Sequence, residues 1–114
     1  MAQQHIPLLR SFDELKFNLG RKTLVEFLKG DLNATIEKNN LDELSAYGCL
    51  FQLTTQEIFA MVNDLEKNDY LEERVVGLGF KVMARTQKGL KEIFEKKHQP
   101  NLAGGSNFFQ KILK

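Results

Sequence analysis

The hydrophobic period of this chain changes once, and that change limits the fold more than any other feature. In "QEIFAMVNDLEKNDYL", Ile58, Met61, Val62 and Leu65 recur three and four residues apart, which is helical spacing. From Tyr70 the period falls to two. "YLEERVV" and "FKVMART" alternate as strands, and the intervening "GLG" is turn chemistry, because glycine accepts positive φ. A last helix is expected after Thr86, with Leu90, Ile93 and Phe94 facing inward, before Pro100. Helices, one late hairpin and a trailing helix predict a mainly α fold with a small β-hairpin (α+β), a winged helix-turn-helix.

Local signals fill in the earlier half. Ser11 and Glu14 have capping-box spacing and predict a short helix over "SFDELKFN", interrupted by Gly20. "RKTLVEFLKG" places Leu24, Val25, Phe27 and Leu28 on one wide apolar face, and Gly30 is its left-handed stop. Asn33 can cap a short helix through Ala34, Ile36 and Lys38, and "LDEL" with Tyr47 suggests another brief turn. Thr54 and Glu57 form a second capping box before the strongest helix. The organisation expected is an N-terminal extension over 1–10, one domain over 11–98, and a Gly-Gly-Ser hinge with an apolar-basic tail over 99–114.

Composition narrows the function classes. With 114 residues and 42% hydrophobic content the chain supports one core and one domain. Cys49 is the single cysteine, and His5 and His98 stand far apart in sequence, so neither a disulfide, a structural metal nor a cofactor is expected. No apolar stretch approaches the roughly 20 residues of a membrane span, and no signal-peptide core opens the chain, which predicts a cytoplasmic location. There is no Gly-rich Lys-Ser/Thr loop, and no nucleophile–base set is spaced around the two histidines. The expectation is a binding module and not an enzyme.

Charge is distributed unevenly although the net value is +1. Residues 1–30 balance to +2, residues 31–73 to −8 and residues 74–114 to +7. Such segregation can put a basic face on a neutral protein, and phosphate binding follows the local field. The helix over 55–68 occupies the usual reading position, yet it carries Glu57, Asp64 and Glu66 against Lys67. Carboxylates in a DNA groove cost repulsion and desolvation, so groove reading by this helix is not expected.

The run "LGRKTLVEFLKGDLNATIEKNNLDELSAYG", the capped helix after it, "DYLEE" and "ARTQKG" together resemble the RQC domain, the winged helix of RecQ-family DNA helicases. The resemblance spans residues 19 to about 94. Asp31, Thr35, Glu43, Leu50 and Arg85 depart from the family pattern, which implies a divergent, stand-alone member. The resemblance implies DNA binding through phosphates by the loop after the second helix and by the wing, with an aromatic or apolar wing tip helping to part strands. Lys29 stands at the Arg of Leu-Arg-Gly, Gly30 at its Gly, and Asn33 at the Asn of the following turn. The DNA contacts expected are Arg21, Lys22, Lys29, Gly30 and Asn33, then Arg74, Leu78, Phe80 and Lys81 on the wing, and Lys88 near the trailing helix.

Structural roles compete with several of these. Lys29 suits a helix C-terminus through the helix dipole, Asn33 suits an N-cap, and Phe80 could pack the hairpin onto the core. The function expected is binding of duplex or branched DNA, in DNA repair or recombination at the nucleoid. The alternatives are a winged helix used for protein contact, through the 55–68 helix or the "FFQKILK" end, and a transcription regulator. Phe108, Phe109, Ile112 and Leu113 of that end could fold back, pair two chains or engage a protein partner.

Overall fold

The computed structural model describes residues 3–100, and the hinge and tail expected beyond residue 100 lie outside them. Five helices and one hairpin follow in order: α1 His5–Ser11, α2 Arg21–Lys29, α3 Ala34–Lys38, α4 Thr55–Lys67, β1 Leu71–Val76, β2 Phe80–Arg85 and α5 Gln87–Glu95, with a 3-10 turn over Leu41–Glu43 between α3 and α4. This is a winged helix-turn-helix. None of the described helices is long and apolar enough to cross a membrane.

The core forms where the amphipathic helices converge. Leu24, Val25, Phe27 and Leu28 of α2 meet Ile58, Met61, Val62 and Leu65 of α4, and all are buried. The Thr54 hydroxyl accepts from Glu57 N at 3.0 Å, while Thr54 N donates to the Glu57 carboxylate at 2.9 Å. Reciprocal bonding of this kind satisfies two orphan donors and fixes the start of α4. Thr86 caps α5 through its hydroxyl alone, accepting from Gly89 N at 3.0 Å. Only glycine fits at position 89, since a Cβ there would lie 2.2 Å from the Tyr70 carbonyl oxygen.

The hairpin is half core and half projection. β1 and β2 pair antiparallel, with Leu71 opposite Arg85 at the body and Val76 opposite Phe80 at the tip. Leu71, Met83 and Ala84 are buried, whereas residues 72–81 are exposed. Met83 N donates to Leu19 O at 2.8 Å, so the chain entering α2 lies along the outer edge of β2.

Three expectations need correction. The helix expected over 11–18 is absent; α1 instead ends at Ser11, whose hydroxyl donates to Leu8 O at 2.6 Å. Glu14, which mimicked a capping residue, accepts from the Ser45 hydroxyl and from Ala46 N. α1 buries Ile6, Leu8 and Leu9 in the core, so residues 5–10 are part of the folded body and not an extension. Pro7 falls in the first turn of α1, where no intrahelical N–H is needed. Phe94 points outward and is 75% exposed.

The fold also brings the two histidines together. Far apart in sequence, His5 and His98 have ring centroids only 5.8 Å apart. Glu92 joins them: its carboxylate accepts from His5 Nε2 at 2.7 Å, from His98 N at 2.9 Å and from Lys97 N at 3.1 Å. His98 Nε2 bonds Asp64 of α4 at 2.6 Å. One buried carboxylate thereby ties α1, α5 and the following segment together. Burial opposes the charged form of Glu92, but the bonds from His5, His98 and Lys97 outweigh it and hold the carboxyl below its ordinary value. A lowered folded pKa stabilises above the unfolded value of about 4.3, and that stability is lost as pH falls through the folded pKa. Urea midpoints measured from neutral to acid pH should therefore fall more steeply below about pH 4.3 for the native chain than for Glu92→Gln.

Candidate nucleic-acid interface

The exit of α2 is where the sequence places its densest set of expected contacts. Gly30 ends the helix at φ +91°, a conformation that favours glycine. A Cβ on it would stand 3.2 Å from the Gly48 Cα, so two glycines let two backbone segments touch. The loop 47–53 then zips onto the helix end. Gly48 N donates to Phe27 O at 2.8 Å, Leu50 N to Leu28 O at 2.9 Å, and the Tyr47 hydroxyl to Gly30 O at 2.8 Å. Burial, with Asp42 and Asp31 nearby, raises the Tyr47 phenol above its ordinary value and keeps it a donor.

Lys29 and Asn33 complete this clasp. The Lys29 ammonium donates to Phe51 O at 2.9 Å and Leu53 O at 2.7 Å, using two of its three donors. The Asn33 side chain accepts from Ile36 N at 2.8 Å as the cap of α3, and donates to Glu26 at 2.6 Å. The residues at the family's motif positions are thus brought together, and their polar atoms serve the fold.

Other expected cations are tied down as well. Arg21 donates to Asn63 at 2.7 Å and Glu66 at 2.6 Å, and reaches Glu73 at 3.4 Å, linking α2 to α4 and β1. Arg74 pairs with Glu72 on its own strand. Lys88 donates to Asn68 O at 2.8 Å and lies 4.6 Å from the centre of the Tyr70 ring. Lys22 and Lys81 differ: both are exposed, and neither makes an ion pair among the described residues. A Cβ on Gly20 would lie 3.4 Å from Lys81 O, so the start of α2 abuts the wing at the level of Lys81. Two lysines distant in sequence therefore sit on neighbouring stretches of backbone.

The wing tip is apolar. Leu78 is 98% exposed, held out between Gly77 at φ +56° and Gly79 at φ +98°. Phe80 is 70% exposed and does not pack onto the core. Val75 and Val76 are also exposed, and neither was among the contacts expected from sequence. The unbroken apolar pair before Gly77 breaks strand alternation and was the available signal. Lys81 stands opposite Val75, placing one cation beside the apolar tip.

Two substitutions test the clasp. Gly30→Ala should cost about 1–3 kcal/mol for forced left-handed backbone, and Lys29→Met about 1 kcal/mol for two carbonyls losing a donor. Chemical denaturation of each variant measures both.

The RQC domain model matches residues 2–102 of the 114. No curated protein matches the chain. The matched span takes in every described helix and the whole wing. RQC domains are associated with DNA binding by RecQ helicases, in which they are non-catalytic. The observed helix order, the clasp between the two glycines and the match over nearly the full length agree, and the chain belongs to the RQC domain family.

Proposed function

We propose that this protein binds DNA at duplex ends or branch points, with Lys22 and Lys81 on the phosphate backbone and the wing tip against the terminal base pair. The exposed apolar tip carries this reading. Leu78, Phe80, Val75 and Val76 sit together at the end of a hairpin that leaves the body at residue 72. Contiguous exposed apolar surface of this kind marks a binding site.

Magnitudes limit what the tip can do. Burying a leucine or phenylalanine side chain stabilises by about 1.5–3 kcal/mol, while unstacking one base step costs a few kcal/mol. The tip can balance the opening of a terminal pair and little more. The chain has no phosphate-binding Gly-rich motif to drive unwinding further. Arg21, Lys29, Arg74 and Lys88 are secondary contacts in this reading, because each would have to loosen an internal bond to reach a phosphate.

Fluorescence anisotropy against salt tests the proposal. The native chain should bind a blunt duplex more tightly than the same duplex closed at both ends by hairpin loops, and binding should weaken with salt. Lys22→Glu with Lys81→Glu should reduce the salt slope by about 2, and Leu78→Asp should remove the preference for open ends while sparing binding to the closed duplex. Salt-insensitive binding, or equal affinity for open and closed duplexes, contradicts the proposal.

A further inference from the structure

Residues 89–93 fix the rotation of α5 about its axis. Gly89 lies so close to the Tyr70 carbonyl that a Cβ there would stand 2.2 Å from the oxygen. One turn on, the buried Glu92 carboxylate is bonded by His5 of α1 at 2.7 Å, and Ile93 is in the core. With these three held inward, Gln87, Lys91 and Phe94 emerge on the other side as one exposed stripe, four and three residues apart. Phe94 is 75% exposed and lies outside the core cluster.

Cations surround this ring. Residues 87–97 carry exposed Lys88, Lys91, Lys96 and Lys97 against one exposed acid, Glu95. Glu92, the other acid of the span, is buried on His5. Lys88 is engaged with Asn68 O and the Tyr70 ring, whereas Lys91, Lys96 and Lys97 make no ion pair among the described residues. Lys91 precedes Phe94 by one turn of helix, so cation and ring are neighbours. Duplex DNA presents phosphates but hides its base faces in the stack. A single strand presents both, and lysines beside an exposed aromatic ring match it.

We infer that the outer face of α5 binds single-stranded DNA, with a base stacked on Phe94 and with Lys91 and Lys97 on the flanking phosphates. The inference rests on the duplex-end reading above, in which the wing parts a terminal pair and so frees a strand. Thr86, the cap of α5, follows directly on Arg85, the last residue of β2, so the helix starts at the foot of the wing. At about 3.3 Å per strand residue and about 1.5 Å per helix residue, the path from Phe80 to Phe94 is at most about 30 Å. A strand of about nine nucleotides at about 3.4 Å each covers it.

Fluorescence anisotropy on the full chain tests the site. One duplex, closed by a loop at one end, is prepared blunt at the other end or with an overhang of about ten thymines in either polarity, alongside a free strand of the same thymines. The overhang should tighten binding about tenfold over the blunt duplex. Phe94→Ala should abolish that gain and leave the blunt affinity unchanged, which also shows that the variant is folded, and Phe94→Trp should keep the gain. Lys91→Gln with Lys97→Gln should lower the salt slope for the free strand by about 1.4. Equal affinity for the blunt duplex and both overhangs overturns this inference and leaves the duplex-end reading standing. A gain that survives both Phe94→Ala and the lysine pair overturns the assignment to α5. If the free strand binds and Phe94→Ala weakens it while the blunt duplex does not bind, the duplex-end reading falls and the strand site stands. Binding of none of these DNAs overturns both.

Discussion

The close approach of Gly30 and Gly48 governs the rest of this structure. A Cβ on Gly30 would crowd the Gly48 Cα at 3.2 Å, and both glycines hold positive φ, so a side chain at either position strains the backbone through which the loop supplies donors to the carbonyls of Phe27, Leu28 and Gly30. The same contact sets how α2 meets α4, because the loop runs directly from Gly48 to the Thr54 cap. Lys29 reinforces it from the other side by donating to the carbonyls of Phe51 and Leu53. Helix exit and loop are one hydrogen-bonded unit.

A division of labour follows. The residues that identify the family, Lys29, Gly30, Asn33, Tyr47 and Gly48, spend their polar atoms on the scaffold. The exposed side chains that the proposed contact uses lie elsewhere, at the start of α2 and on the outer half of the hairpin. Arg21 connects the two sets by cross-linking α2, α4 and β1 through three side chains. The wing thus projects from a body whose orientation relative to it is fixed by ion pairs and by the Met83–Leu19 backbone bond.

Much of this was legible in the sequence, and the exceptions have physical causes. The capping box at Thr54, the Gly30 stop and the hairpin around Gly77 and Gly79 are local signals, settled by residues within a turn or two of each other. α1 was hidden because Ser11 and Glu14 imitate a cap while their real partners, Leu8 O and the Ser45–Ala46 stretch, are specified by tertiary structure. Helical spacing put Phe94 inward, but a nine-residue helix buries a narrower stripe, centred on Gly89, Glu92 and Ile93. The placement of charge was the least legible property. Sequence gives the number of cations and acids, yet whether Arg21 faces a phosphate or Glu66, and whether Asp64 faces DNA or His98, depends on contacts between residues more than thirty positions apart.

On the proposed reading, the motif residues build the scaffold and the wing touches the DNA. Amide chemical shifts of the labelled full chain, recorded while a short blunt duplex is added, address it directly. The account predicts perturbations concentrated at residues 75–81 and at Lys22, with the amides of Gly30, Gly48 and Leu50 nearly unmoved. Large shifts confined to residues 28–33, with the hairpin tip silent, would contradict it.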